Sequence, residues 1–554
     1  MGIARISGER QKRIVQVAIM KDSFVHLFET EMRKYVFDVN SNNIFQVNEI
    51  AYDFLNLLFL DMEENQIASI LTNKYDGNDV HDAIHGLKQL EKSGLCFSKK
   101  RPKTCYMFCC RESWDKFYGL YQDHLILEVT QRCNMNCLYC SFSGIYECER
   151  THTNIDMSWE TAQKSIDYLF TKEGREPSYF QYYKTKEEGT DYSIGFYGGE
   201  PLLNLSLIRK CVQYALEKCP SDKTVGFTMT TNGTLLNEDI IDFILKHDIK
   251  ITLSLDGPKH VHDMARVYKN GRSTYDDVMS ALQRIAAKAS LVKKNKQFFI
   301  TINCVIKGGI DVGELWEYFV SLEHLLHTED VQSTVRLSFV NGGTEKWNDI
   351  YPEKKLTKLT GYDELVAEYK RKCEEGFYYN TNTKNQEWRY RLLHEFAYNY
   401  VYFDLHGRTR YQFEEETELR DNHHPGGICK LGIRRLYVKA DGTLLPCERV
   451  ASNLEYYKIG HIHNGGLNLD RVIEIMNEYS QSTAESCKDC WCIRMCDVGC
   501  IRSMVSSDGT FKKNIKDGLC LNTRKKRHKE LIEMMTLLEK NPYALEHYNE
   551  IVSF

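Results

Sequence analysis

The sequence has no long apolar run, no surplus of one charge and no leader-like start, and each absence removes a class of function. No stretch approaches eighteen uninterrupted apolar residues, so no membrane-crossing helix is expected. The net charge over 554 residues is −5, which leaves no electrostatic case for bulk nucleic-acid binding. The one basic cluster, Arg524 to Lys529, reads as a solvated helix face. The start, MGIARISGERQKRIVQ, has neither an apolar core segment nor a cleavage site, and Ile6 stands where a myristoylation signal needs Ser or Thr. A cytoplasmic protein is the expectation, with neither nucleic acid nor membrane as partner. Disulfides rarely persist there, so a chain with 20 cysteines reads as metal-binding and not disulfide-bonded. A chain of this length exceeds a single core, and several domains are expected.

What is present centres on LILEVTQRCNMNCLYCSFSG, Leu125 to Gly144. Cys133, Cys137 and Cys140 follow a β-branched apolar run, three and then two residues intervening. Three thiolates on one tight loop can hold three irons of a [4Fe–4S] cube, leaving the fourth iron open to a chelating molecule. A zinc knuckle is the competing reading, but it needs a fourth Cys or His nearby and only Cys148 is close. From Leu125 the chain alternates strand and helix six times, through LILEVT, YSIGFYG, VGFTMTT, KITLSL, FFITINCVI and VRLSFV. That alternation predicts an α/β fold, a partial, open (β/α)6 barrel, with functional residues at the C-terminal strand ends. The motifs at those ends are Gly198-Gly199-Glu200-Pro201, TTNGTLL with Thr231 and Asn232, SLDGP with Ser254 and Asp256, then Arg266, and Asn303 in the fifth strand.

Before the barrel, residues 20 to 100 read as an α+β unit: SFVHLFETE, then KYVFDVNSNNIFQVN turning at Asn40 to Asn43, then three helices, the last stopped by Gly94. Alternation puts Tyr35, Phe37 and Val39 on one face, and Ile50, Phe54, Leu57 and Leu58 form the stripe of the first helix. A hairpin with three helices suggests a winged-helix-like domain, whose third helix is too acidic for DNA. Cys96, Cys105, Cys109 and Cys110 match no ligand spacing. Glu173 to Tyr192 is a polar, aromatic insertion, either a lid or a decorated loop. The aromatic helices within 344–428 read as core packing in preference to a peptide groove.

The C-terminal part carries a second group of seven cysteines. Cys429 and Cys447 flank Gly442, then Cys487, Cys490, Cys496 and Cys500 run as CxxCx5CxxxC, with Cys520 beyond; Cys492 is extra. A zinc ribbon would use four and leave three idle.

The loop and the motifs after it resemble the radical S-adenosylmethionine (SAM) superfamily. The resemblance implies that Cys133, Cys137 and Cys140 hold the first cluster and that SAM's methionine chelates the open iron. It implies SAM contacts from Tyr139, Gly198, Gly199, Glu200, Pro201, Thr231, Asn232, Ser254, Asp256 and Arg266: Tyr139 on the adenine, the GGEP motif on the amino group, Arg266 on the carboxylate, Ser254 and Asp256 near ribose or carboxylate. One-electron cleavage of SAM would then start hydrogen abstraction. The seven late cysteines resemble the SPASM domain, which implies two auxiliary [4Fe–4S] clusters, three in all. Cys429, Cys447 and Cys500 would hold the first auxiliary cluster, one ligand short, and Cys487, Cys490, Cys496 and Cys520 the second.

The N-terminal unit resembles the leader-recognition element of ribosomal-peptide maturases, in which a precursor's leader adds as a strand. The expected domains are therefore 1–110 recognition, 120–343 barrel, 344–428 helical bridge, 429–521 SPASM and 522–554 C-terminal helices. The whole resembles sactipeptide and ranthipeptide maturases, which implies thioether formation in a cysteine-containing precursor and an electron donor such as flavodoxin or ferredoxin. A carbon–carbon cross-linking maturase, a formylglycine-forming sulfatase maturase and a non-enzymatic iron–sulfur regulator are the alternatives.

Overall fold

A computed structural model describes residues 22–104, 111–172, 190–292, 297–339, 343–375, 388–401, 419, 421–423, 431–433, 435–496, 498, 500–511 and 518–542. Cys105, Cys109, Cys110, Cys429 and most of the insertion after Glu173 lie outside these residues. The chain divides into two compact units. One comprises Met1–Pro102, Gln412–Asp421 and Lys488–Cys492; the other comprises Lys103–Tyr411, Asn422–Cys487 and Ile493–Phe554.

In the first unit, β1 (Val25–Glu29), β2 (Lys34–Asp38) and β3 (Asn43–Val47) form an antiparallel meander, followed by helices α1 (Glu49–Leu58), α2 (Glu64–Leu71) and α3 (Gly77–Lys92). Gly94 takes φ 72°, the left-handed stop expected of it. The buried stripe of α1 is Ala51, Phe54, Leu55 and Leu58, rotated by part of a turn from the expected Ile50–Leu57 edge. Alternation along β2 is real, but both its faces are buried. Val36 packs with Phe54, Leu55, Ile67 and Val80 of the helices, while Tyr35 stacks on Phe28 at 5.4 Å on the other face. Distant segments return to this unit. His26 stacks on Trp491 at 3.6 Å with the rings 4° apart, Arg101 Nε donates to Asp489 at 2.9 Å, and Leu419 N donates to Asn40 O at 2.8 Å. Trp491→Ala should speed hydrogen exchange at the Val36 and Phe37 amides by about tenfold, as expected for losing an aromatic pair and its burial. Exchange unchanged in the variant would mean that the stack contributes nothing to this sheet.

The second unit begins with the two-residue strand β4 (Lys103–Thr104) and helix α4 (Arg111–Tyr121). Six parallel strands follow: β5 (His124–Thr130), β6 (Tyr192–Gly198), β7 (Val225–Thr231), β8 (Lys250–Ser254), β9 (Phe298–Ile306) and β10 (Val331–Phe339), side by side in chain order. They match the six expected strands. Helices α5 (Trp159–Phe170), α6 (Leu205–Lys218), α7 (Glu238–Lys246), α8 (Lys259–Asp263), α9 (Tyr275–Val292), α10 (Val312–Ser321) and α11 (Glu323–Leu326) intervene. Next come α12 (Gly343–Ile350), α13 (Tyr362–Glu374) and α14 (Trp388–Val401). Trp388 is fully buried and donates through its indole to Phe319 O at 2.9 Å, so this part of the bridge packs on the barrel.

The sheet does not stop at β5. After β11 (Asn422–His423), which pairs with β4, the strand β12 (Leu436–Val438) adds in parallel to β5. β13 (Thr443–Leu445), β14 (Gly460–His461) and β15 (Gly466–Leu467) extend the sheet antiparallel to ten strands. The Asp441-Gly442 turn dipeptide between LYV and TLL was the signal for this hairpin. Buried Glu128 in β5 holds the junction: it accepts from Tyr437 OH at 2.9 Å, Ala440 N at 3.0 Å and Gln131 Nε2 at 2.9 Å, and pairs with Arg150.

The chain ends with α15 (Leu469–Cys487), α16 (Ile501–Met504) and α17 (Leu519–Lys540). In α17 the basic cluster is not wholly a solvated face, because Arg527 is buried and donates to Glu530 at 2.6 Å. Among the described residues no helix is long and apolar enough to cross a membrane.

Candidate active site

The cysteine loop leaves the end of β5 and is clamped from two sides by backbone. On one side Gly199 N donates to Thr130 O and Glu200 N to Arg132 O at 2.9 and 2.8 Å. A Cβ on Gly198 would lie 2.0 Å from Thr130 O, and one on Gly199 2.0 Å from Arg132 O. The clearance of the two glycines is thus used against the chain's own loop. On the other side Asn136 N reaches Val267 O at 2.8 Å and Leu138 N reaches Ala265 O at 2.9 Å. The loop presents Cys133, Cys137 and Cys140 as thiols without disulfides. Burial pushes Cys133 and Cys137 up to about 12 and raises Cys140 as well, with mutual repulsion adding to the cost. Three half-buried thiols of this kind ionise together only when a cation joins them.

Glu200, at the end of β6, is buried. Its Oε1 accepts from Leu202 N at 3.1 Å and Thr231 Oγ1 at 2.8 Å, and its Oε2 from Asn232 N at 2.8 Å. A carboxylate has about four acceptor sites, so one remains, on Oε2. Burial pushes this carboxyl up to about 7 despite those three bonds. Asn232 also donates to Asn134 Oδ1 at 2.9 Å, and Asn134 to Thr234 Oγ1 at 2.8 Å, which ties the cysteine loop to the end of β7. Pro201 is buried at the start of a short helical turn.

Asp256, just past β8, is fully buried and saturated. Oδ1 accepts from Arg266 Nε at 3.0 Å and Val305 N at 3.1 Å; Oδ2 accepts from Tyr139 OH at 2.6 Å and Lys307 Nζ at 3.4 Å. Burial alone would raise this carboxyl, but Arg266 and Lys307 outweigh it and hold the group well below the usual range. Its four acceptor sites are taken by protein, and what it positions is Arg266. Arg266 Nη1 lies 3.9 Å from Cys137 Sγ. Ser254, on β8 opposite Asn303 in register, is buried, and Asn303 Oδ1 accepts from Ser338 Oγ at 3.0 Å.

Sequence reasoning missed Lys307, which stands one residue past β9 in CVIKGG, and the buried His262, whose Nδ1 accepts from Asp256 N at 3.3 Å. Their position at a strand end and in the loop after SLDGP was the available signal. Trp347 and Tyr351, from the bridge, form an apolar cluster with Leu138 and Tyr139.

Cys447 follows β13 and Cys500 precedes α16. Burial raises Cys447 to about 11, with Glu448 and Cys500 adding. Cys487, Cys496 and Cys520 belong to the second unit, Cys490 and Cys492 to the first. Among the described residues no three His, Cys, Asp or Glu side chains stand close enough for a single metal ion.

Residues 127–318 match the Radical SAM superfamily. That match spans about a third of the chain. Relatives differ in extent. An uncharacterized protein of Methanocaldococcus jannaschii is 36% identical over 159 residues, 29% of this chain but only 47% of that relative. A cysteine-type anaerobic sulfatase-maturating enzyme of Clostridium perfringens is 22% identical over 395 residues, 69% of this chain and 90% of its own length. The radical SAM cyclopropyl synthase TigE of Paramaledivibacter caminithermalis is 25% identical over 186 residues, 32% of this chain and 34% of its own. A solved structure, native anSMEcpe with bound AdoMet and Cp18Cys peptide, has a TM-score of 0.47 at 18% identity and covers 77% of this chain and 98% of that one. The radical SAM match brings SAM and one [4Fe–4S] cluster as cofactors, and the donor set fits them. Three half-buried thiols need a cationic centre, Glu200 keeps one acceptor site for an ammonium, and Arg266 keeps Nη1 beside Cys137 for an anion.

Proposed function

We propose that this chain is a radical SAM maturase that installs thioether cross-links in a cysteine-containing ribosomal precursor peptide in the cytoplasm. The observation that carries the radical reading is the three-thiol loop locked between Glu200 and the Asp256–Arg266 pair. Cys133, Cys137 and Cys140 would hold the cluster; Glu200, Arg266, Ser254 and Tyr139 would hold SAM. When bound, the two supply one-electron cleavage of SAM and hydrogen-atom abstraction from the peptide. The chain's own part is to bind and orient. The Glu200 carboxylate takes the ammonium on Oε2, Asp256 fixes the guanidinium plane of Arg266, and Trp347 and Tyr351 flank Tyr139.

The finer reading rests on the late cysteines and the N-terminal unit. Cys429, Cys447 and Cys500 would hold a first auxiliary cluster with one iron open to a precursor thiol, and Cys487, Cys490, Cys496 and Cys520 a second. β1–β3 with α1–α3 would recognise the leader, and a flavodoxin or ferredoxin would deliver electrons. The sulfatase-maturase reading is supported by the length of the alignment to the Clostridium perfringens enzyme. The two separate by product. Anaerobic reconstituted enzyme with a precursor peptide should yield a peptide lighter by two hydrogens and resistant to thiol alkylation. Conversion of Cys to formylglycine instead would favour the sulfatase reading, and absence of any SAM cleavage would defeat both.

A pH dependence follows from Glu200. Its proton is retained in the folded site up to about pH 7, so an ammonium ligand must displace it at lower pH. SAM affinity should rise with pH up to about 7, approaching tenfold per unit at the acid end, and then level. By the same sign, this group costs stability as pH climbs from its unfolded value toward 7. Equilibrium SAM binding across that range tests it, and Glu200→Gln should weaken binding and flatten the profile.

A further inference from the structure

Lys307 is the most unusual side chain at the site. Its side chain has no exposure, and its one polar partner among the described residues is Asp256 Oδ2, at 3.4 Å. An ammonium has three donors, and burying it for so little return is costly. Arg266 is similarly underused. It meets Asp256 through Nε alone, at 3.0 Å, although a guanidinium beside a carboxylate ordinarily closes a two-bond fork. The fork is absent because Oδ2 is already occupied, by Tyr139 OH at 2.6 Å and by Lys307. Two buried cations therefore share one carboxylate, and Nη1 of Arg266 stands 3.9 Å from the Cys137 sulfur.

We propose that Lys307 is a positioning residue: by holding Oδ2 of Asp256 it keeps Arg266 singly bonded and leaves the guanidinium edge to bind the carboxylate of SAM. This deepens the radical SAM reading and rests on it. Removing the ammonium frees the one acceptor site of Oδ2 that Tyr139 OH does not hold, and Arg266 closes onto Asp256 there and is lost to the ligand. No contact of Lys307 with SAM is required.

The test compares two ligands that differ by that carboxylate, SAM and decarboxylated SAM, by equilibrium binding to the reconstituted full-length protein. Iron content and circular dichroism are matched between variants. Lys307→Met should weaken SAM by about tenfold, the order of one charge-assisted hydrogen bond, and leave decarboxylated SAM unchanged. Lys307→Arg, which keeps the charge, should retain most of the preference for SAM. Should Lys307→Met not accumulate, Lys307→Gln reads the same ratio. Equal loss for both ligands would make Lys307 a packing residue and overturn the proposal, as would an unchanged ratio. Failure of the wild-type protein to bind either ligand would defeat the radical SAM reading itself, an outcome distinct from a ratio that does not move.

Discussion

Replacing Cys133, Cys137 and Cys140 together by alanine should abolish SAM cleavage and remove one cluster. If the chain carries three four-iron cubes, reconstituted wild-type protein should hold roughly twelve irons and the variant about a third fewer. The fold should survive, because the loop is held by backbone bonds from Asn136 N and Leu138 N to Val267 and Ala265, none of which needs a thiol. Thiols whose ionisation is opposed by desolvation also lose little when made apolar in the metal-free chain. Iron analysis and 5′-deoxyadenosine release together decide the matter. Unchanged iron, or one zinc in place of the lost irons, would overturn the assignment.

Asp256→Asn should be the most damaging single substitution in the barrel. It keeps the shape and removes the only carboxylate that Arg266 and Lys307 are shown to share, leaving two cations buried against a neutral amide. Breaking a buried ion pair from one side costs about 3–5 kcal/mol. The loss should register as faster hydrogen exchange at the Val305 amide, which donates to Asp256, and as a lower melting temperature of the metal-free protein. Adding Lys307→Met should recover part of the loss, since one surplus cation goes with it; neighbours in one network are not additive. A double variant as unstable as the sum of the single ones would mean that the two residues do not share a charge balance. SAM binding should stay weak in both variants, because Arg266 then has no fixed orientation.

The barrel was legible because parallel strands buried on both faces appear as continuous apolar runs broken by amphipathic helices. LILEVT, YSIGFYG and FFITINCVI each became a strand, and the motif residues fall where strand C-termini put them. The hairpin β12–β13 escaped notice since strands of three residues carry too little periodicity to stand out. In β2 the alternation of Tyr35 and Phe37 was read correctly, but it could not announce that Val36 is buried as well. That burial depends on what lies against each face, for Val36 the residues Phe54, Leu55, Ile67 and Val80 of the three helices.

The sequence by itself determined the chemistry on offer: the CxxxCxxC loop, the GGEP turn at a strand end, and an arginine downstream of SLDGP. Such motifs are local, and their spacing records the reach of a short loop or the length of one strand–helix unit. Only the tertiary structure decided who answers to whom. Asp256 is engaged by Arg266, Lys307, Tyr139 and Val305, Lys307 entered the site, and Glu200 kept a single acceptor site. These depend on four strand ends meeting in one buried volume, where each lone pair and each charge must be matched or left over. The count of what is left over is a property of the assembled site, and no stretch of chain carries it alone.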